Sequence, residues 1–471
     1  MSRPKICVVG GGLAGMAAAL ACADTGAQVT LLERRQRLGG ATWSFRHNGL
    51  WFDNGQHVFL RCCTAYRDFL DRLGVADRVH LQRRLDLPVL APGGRTARLR
   101  RGRLPAPAHL GRSLLAYGHL PLRDRLRLVP AALALRRVDP DAPGTDDQSF
   151  GDWLDRHGQS PRAQAALWDL ICRPTVNLPA AEASLALAAM VFRTGLLTDK
   201  AAADIGWASV PLGELHGDAG WRALERAGVE VVVGVPATAV RPAPPPSAGA
   251  GAGFTVVVGD SERAADAVIV AVPHTAVADI AGAGNTGDLP GLGDLASRLG
   301  VSPIVNVHVV YDRRVTDHAL AAGVGTDVQF VFDRTAAAGL DAGQYLAVSL
   351  SAADAEMRSS ADDVKARILA DLAELFPRAR GARVVDVMVS REPAATFRGA
   401  PGSRAARVSP PTSVPGLVLA GAWTDTGWPA TMEGAVRSGQ AAARHALVAT
   451  GRTRHLPADA QATGAPEGVA V

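Results

Sequence analysis

The sequence VVGGGLAGMAA, residues 8–18, decides the fold. The apolar run at 6–9 predicts a buried strand, and the Ala- and Leu-rich run at 13–23 predicts a helix. Between them Gly10, Gly12 and Gly15 fit the G-x-G-x-x-G pattern in the setting it requires. The first glycine permits a tight turn, and the second lets backbone amides come close to a pyrophosphate. The third lets helix and strand pack closely. The helix N-terminus, at Leu13 and Ala14, then faces the anion with its unpaired amides. Residues 28–32 predict a second strand, and Glu33 ends it at the spacing where a carboxylate holds a ribose hydroxyl. That carboxylate would repel a 2′-phosphate, which argues against NADP despite Arg34 and Arg35. The expected fold is α/β, with a Rossmann-type dinucleotide domain.

Beyond Glu33, the pair Gly39 and Gly40 precedes Ala41 and Thr42. A loop without side chains can wrap closely round a pyrophosphate and a flavin, a need that nicotinamide enzymes lack. The pair therefore tilts the cofactor towards FAD. Near the other end, VLAGAWTDTGWPATMEGAVRSG, residues 418–439, predicts a strand delivering Gly421 and a helix beginning near Thr431. The free amides of that helix would face the part of a reduced flavin that concentrates negative charge. Because the two pieces stand at opposite ends of the chain, the FAD domain is expected to be discontinuous, at 1–85, 215–300 and 400–447. Residues 86–214 and 301–399 are left for a mixed substrate domain, the first part a mainly helical insertion and the second an antiparallel sheet. The tail at 448–471 is low in apolar content and is expected to be disordered. No second G-x-G-x-x-G stands between a strand and a helix, so reducing equivalents are expected from an external electron donor.

At 471 residues, 48% hydrophobic and 20% charged, the chain has the composition of a soluble protein of two or three domains. Its net charge of +5 is modest, and its only lysines are Lys5, Lys200 and Lys365. That bias towards arginine reads as genome base composition rather than nucleic-acid binding. Five cysteines, odd in number and without metal-ligand spacing, fit a reducing, cytoplasmic compartment and no metal site. The N-terminus has the basic, apolar, Ala-rich order of a signal peptide, but removing it would discard the phosphate loop. No uninterrupted apolar run of about 18 residues is present. The Pro- and Gly-rich run at 242–253 predicts a flexible loop joining strands at 229–235 and 254–258. Residues 83–137 stand apart, with 13 arginines against Asp86 and Asp124 and with Leu, Pro and Ala interleaved. Two readings stay open there: a solvated helical face, or a surface resting on anionic lipid.

The paired ends resemble the amine-oxidase and phytoene-desaturase superfamily of FAD enzymes. The internal stretches are similar to the hydroxysqualene dehydroxylase family of squalene and hopanoid biosynthesis. They are FDNGQHVFL (52–60), RLPAPAHL (103–110), WLDRHGQSPRAQAALWDLICRPTVNLP (153–179), VPLGEL (210–215), SPIVNVHVVYDRRV (302–315) and TDTGWPATMEGAVRSG (424–439). The resemblance implies FAD at Gly10, Gly12, Gly15, Glu33, Gly40, Gly55, Val235, Gly421 and Met432. Leu13, Ala14, Arg34, Ala41, Thr42, Gln56, His57, Ala422 and Thr431 adjoin those positions and complete the cofactor set. Ala41 stands where an arginine often follows the Gly pair, and Ala422 where an acid usually follows Ala-Gly.

The implied reaction is reductive. A thirty-carbon isoprenoid allylic alcohol loses its hydroxyl as water and gains a hydride, giving squalene. An acid is then needed near the flavin, and His57, Asp53 and Asp425 are the ionisable groups that the motifs place there. His57 leads because histidine can be protonated near neutral pH; its other reading is a hydrogen bond to backbone that fixes the flavin loop. A flavin desaturase of a carotenoid-like isoprenoid and a non-catalytic lipid-holding partner of squalene synthesis are the alternatives. The expected location is cytoplasmic, at the inner face of the membrane only under the reading in which the arginine-rich region rests on lipid.

Overall fold

The computed structural model describes residues 3–243, 253–282, 289 and 291–451. Lys5–Val9 is a strand, Leu13–Asp24 a helix and Gln28–Glu33 the second strand, as the opening motif requires. They lie in an all-parallel five-stranded sheet ordered Glu230–Val233, Gln28–Glu33, Lys5–Val9, Ala267–Val270 and Leu417–Leu419. All residues of Ala267–Val270 and Leu417–Leu419 are buried, as in a parallel sheet covered on both faces. The sheet thus collects strands from both ends and the middle of the chain. The closing helix, Met432–Ala449, lies against the Leu13–Asp24 helix. A Cβ on Gly439 would stand 2.1 Å from the carbonyl oxygen of Ala14, so the two helix backbones touch there.

A second sheet of seven strands runs in the order Val384–Thr396, Ser302–Tyr311, Gln344–Ser351, Phe330–Asp333, Leu320–Gly323, Asp86–Ala91 and Arg95–Arg100. Its pairs are antiparallel except Leu320–Gly323 with Asp86–Ala91. The Ala361–Leu375 helix buries Val364, Ile368, Leu372 and Leu375, one stripe at helical spacing, and Ser360 caps its N-terminus. Helices at Leu122–Arg137, Phe150–Arg156 and Asp169–Val176 pack on the helix Leu185–Phe192, and their buried side chains share a core with Leu87, Val89 and Phe332 of the second sheet. Among the described residues no helix is long and apolar enough to cross a membrane.

The structure departs from the sequence reading at two places. Residues 86–100, expected to open the helical insertion, form a hairpin of Asp86–Ala91 with Arg95–Arg100 on the edge of the second sheet. From Thr96 burial alternates along its second strand, with Ala97 and Leu99 inward and Thr96, Arg98 and Arg100 outward, a period of two that the arginine count hides. Secondly, Phe254–Val258 pairs with Ala237–Pro242 rather than with 229–235. Gly234, at φ +78°, breaks that run, and Glu230–Val233 becomes an edge strand of the parallel sheet instead. Most of the loop expected at 242–253 and the tail from 452 onwards lie outside the described residues.

Candidate active site

The nucleotide end is built from backbone meeting backbone. Gly10, at φ +110°, turns the chain out of the first strand, and a Cβ on Gly15 would lie 1.8 Å from the Gly10 carbonyl oxygen. The middle glycine, Gly11, is equally constrained: its amide donates to Glu33 Oε2 at 2.7 Å, and a Cβ there would meet Leu38 at 2.5 Å. Glu33 is 8% exposed, and its other oxygen accepts the Arg35 amide at 2.9 Å. The second glycine pair folds over the first loop, with the Gly39 amide donating to Gly11 O at 2.9 Å. A Cβ on Gly40 would come within 2.8 Å of Gly12 Cα. Around Gly12 the space is different, because a Cβ there meets nothing nearer than Gly40 Cα at 3.8 Å. Gly12 also begins a helix that no side chain caps, leaving the amides of Leu13 and Ala14 for an anion.

Arg34 and Ala41 are exposed, while Thr42 is buried and donates to Gly39 O at 2.9 Å. Arg37 donates to Gly40 O at 3.2 Å and lies 4.4 Å over the Trp43 ring. A cation thus stands beside the Gly pair although Ala41 replaces the usual arginine; burial pushes the Arg37 guanidinium down to about 10. Val235 follows Val233, which is in register with Glu33, so it borders the same end of the cradle.

At the closing motif Gly421, at φ +145°, donates its amide to Ser438 Oγ at 2.9 Å. Thr431 caps the last helix by accepting from the Gly434 amide at 3.1 Å, which puts Met432 in the first turn. Glu433, 1% exposed, accepts the amides of Ala65 and Tyr66 at 3.2 and 2.7 Å, so the helix also caps its neighbour. Arg407 gathers the loop between strand and helix: it donates to the carbonyls of Trp423 and Ala422, each at 3.3 Å, and to that of Thr424. Asp425 belongs to this network, with its amide on Val408 O at 2.9 Å and its carboxylate accepting from Gly427 at 3.3 Å. It forms no hydrogen bond or ion pair with His57.

The reactive end is made of side chains from distant segments. Asp53 ends a hairpin strand, Leu50–Asp53, and forms an ion pair with Arg334 at 2.9 Å, both side chains almost fully buried. Its second oxygen accepts from Ser44 Oγ at 2.6 Å and from the Leu212 amide at 2.9 Å. Asp53 is therefore a joint between the flavin loop and the second sheet, with both oxygens taken. Asn54 donates to Glu392 Oε1 at 3.0 Å, and Asn306 donates to Asn54 O at 2.9 Å. His57, half-buried, makes no hydrogen bond with any described residue, so the expected backbone bond is absent. Burial pushes its ring below the ordinary 6.5, while Asp53 and Glu392 pull the other way. Both His57 Nε2 and Asn306 lie within 4 Å of where a Gly55 Cβ would be. Gln56 Nε2, Asn306 Oδ1 and His216 Nδ1 are buried without partners. The open space at Gly12 and its uncapped helix fit the pyrophosphate of a flavin-bearing nucleotide, and the buried unpaired atoms, which are costly to leave so, fit a further polar ligand beside the loop.

A family model described as "Flavin containing amine oxidoreductase" matches residues 13–447. The chain belongs to that family. It is an FAD-dependent oxidoreductase with an amine-oxidase-like fold. A hydroxysqualene dehydroxylase of Rhodopseudomonas palustris is 28% identical, covering 94% of this chain and 98% of its own. A zeta-carotene desaturase of Zea mays is 25% identical, covering 93% and 82% respectively. Among solved structures, a triple mutant of putrescine oxidase superposes at TM-score 0.69 with 22% identity over 94% of this chain and 98% of its own. Cyclohexylamine oxidase from Brevibacterium oxydans does so at 0.69 with 18% identity over 96% and 99%.

The structure draws Gly10, Gly12, Leu13, Ala14, Gly15, Glu33 and Gly40 into one cradle and sets Gly55 between His57 and Asn306, with the Gln56 amide buried and unpaired in the same loop. Sequence reasoning missed Gly11, Arg37, Asn306, Arg334, Glu392, Arg407 and Glu433. Gly11 carried a signal, being the middle of an unbroken glycine triplet. Arg37 lies beside its partners Gly40 and Trp43 but is one of several arginines there that residue type does not tell apart, and the rest bind partners up to 368 residues away in the chain.

Proposed function

We propose that the protein reduces hydroxysqualene to squalene with loss of water, using the FAD site described above. The observation that carries this reading is the set of unpaired polar groups at His57, Gln56 and Asn306, standing where a substrate hydroxyl would meet the flavin loop. The similarity to a hydroxysqualene dehydroxylase over nearly the whole chain supports it. Protonated His57 donates to the departing hydroxyl oxygen as the carbon–oxygen bond breaks and water leaves. Asn306 Oδ1, free of other partners, accepts from that hydroxyl and orients it. Asn54 holds Asn306 and Glu392 in place through its carbonyl and its amide, and the Asp53–Arg334 pair fixes the loop that carries His57. The allylic cation left behind survives only where water is excluded, so this reading requires a dry pocket around the reacting carbon. Reduced FAD supplies the hydride that replaces the hydroxyl, and an external donor restores the two electrons.

The similarity to a zeta-carotene desaturase favours a second reading, oxidative desaturation of a polyene precursor on the same cofactor. Photoreduced enzyme mixed anaerobically with hydroxysqualene separates the two. The dehydroxylase reading expects flavin reoxidation with squalene appearing, and no change when oxidised enzyme meets a polyene precursor. The opposite pattern assigns a desaturase. Purification without flavin and consumption of neither compound would leave a lipid-holding role.

A further inference from the structure

The Leu122–Arg137 helix carries two apolar stripes. Asp124, Leu128, Ala131 and Leu135 are buried against the helical layer, whereas Leu122, Leu126, Val129 and Leu133 are 61%, 56%, 50% and 41% exposed. Both stripes follow the same helical spacing, offset by two positions and hence by about 200° around the axis. The second stripe therefore points straight away from the protein. Leu115, 54% exposed, ends the short helix Gly111–Leu115 that packs beside this one, with Arg125 Nη1 donating to its carbonyl at 2.8 Å. A helix apolar on its outer face covers something that the described residues do not supply.

The charges around the stripe say what that is. Arg112, Arg123, Arg136 and Arg137 are exposed and have no carboxylate partner among the described residues. The helix's one acid, Asp124, faces inward and accepts from Ser160 Oγ at 2.7 Å. A second copy of the chain is disfavoured as occupant, since a two-fold contact over this face would set its arginines against themselves. Leucines flanked by unpaired arginines on an exposed helix match the boundary between acyl chains and phosphates. The helix packs on Leu185–Phe192 and Arg193–Leu197. A Cβ on Gly195 would lie 3.4 Å from Leu60, three residues beyond His57, so the helical layer joins this face to the flavin loop.

We propose that the outer face of the Leu122–Arg137 helix seats the protein in one leaflet of an anionic bilayer, leucines among the acyl chains and arginines on the phosphates. The proposal goes beyond the substrate assignment and does not depend on it.

The test uses the FAD-loaded full chain sedimented with vesicles of phosphatidylcholine alone, or of equal parts phosphatidylcholine and phosphatidylglycerol, at low and high salt. Wild type should bind the acidic vesicles and be weakened by salt. Replacing Arg112, Arg123, Arg136 and Arg137 with glutamine should weaken binding by up to about fivefold per arginine. A triple variant, Leu122→Gln, Leu126→Gln and Leu133→Gln, should lose more than about tenfold while still responding to salt. All seven positions are exposed, and unchanged thermal melts confirm that the variants remain folded. No binding by wild type, or binding that neither variant changes, overturns the proposal. So does a wild type that ignores vesicles while pairing with itself or with an acidic protein through these leucines. No turnover is measured, so failure here and failure of the dehydroxylase reading are told apart.

Discussion

The two ends of the FAD site are built in opposite ways. At the nucleotide end, glycine backbones close on one another, Gly15 on Gly10 and Gly40 on Gly12, and one carboxylate from the next strand ties the turn. At the reactive end, Asn306, Glu392 and Arg334 arrive from three separate segments and bind Asn54 and Asp53, in the loop that carries His57. The first end is a local property of a short stretch, and its geometry tolerates almost no addition. The second is held by long-range pairs, so its chemistry can vary while the cradle stays the same. A family with one cofactor and several reactions is the expected product of such a division.

The sharpest test of this contrast lies within the opening motif. Gly15→Val should abolish folding or flavin retention outright, since a Cβ would fall 1.8 Å from backbone that cannot move aside. Gly12→Ala should leave the melting temperature without FAD unchanged, because its Cβ has 3.8 Å of clearance, yet lower FAD affinity at least about tenfold. If Gly12→Ala binds FAD like wild type, the pyrophosphate does not lie over Gly12.

At the other end, Arg334→Met should destabilise the fold by about 3–5 kcal/mol, because it leaves Asp53 buried without its cation. Denaturant unfolding measures this, and a loss below about 1 kcal/mol would mean that the pair does not join loop to sheet.

Acid should weaken the same region. Burial pushes the rings of His216 and His308 down to about 3, so in the folded protein both stay neutral as pH falls below the ordinary 6.5. The unfolded chain takes up those protons first. The stabilising contribution is therefore present above pH 6.5 and is lost towards pH 3, at about 1.4 kcal/mol per histidine for each unit. Melting temperatures of wild type and of His308→Gln should converge as pH falls; parallel curves would contradict this origin.

The smallest expected effect is at the cradle's one carboxylate. With the ribose on Glu33, as the motif spacing implies, Glu33→Gln should cost about 1.5–3 kcal/mol of FAD binding, with the chemistry of bound flavin unchanged. Equal affinity in a flavin titration would move the ribose away from Glu33.

What the sequence disclosed follows the same division. The triplet at Gly10 to Gly12 and the acid at Glu33 belong to one strand–helix–strand unit and the cap at Thr431 bonds Gly434 three residues on, so their chemistry reads directly from residue type and spacing. Asp53 was legible as an ionisable group near the flavin loop, but its binding to Arg334, 281 residues on, was not. His57 was legible too, whereas its lack of a hydrogen-bond partner depends on what the second sheet leaves open around it. The exposed leucine stripe was hidden by the arginines interleaved with it, because composition registers charge and only the helix shows which face each residue takes.

The central claim is that His57 delivers a proton while reduced flavin gives a hydride. Anaerobic single-turnover reoxidation of photoreduced enzyme by hydroxysqualene, followed across pH in wild type and His57→Gln, tests it most directly. Burial holds His57 below its ordinary value and only the protonated ring can donate, so the wild-type rate should rise as pH falls. His57→Gln should be slower by about 10²–10⁴ and lose that dependence, with FAD affinity unchanged. A variant within a few-fold of wild type that keeps the same pH profile would contradict the account.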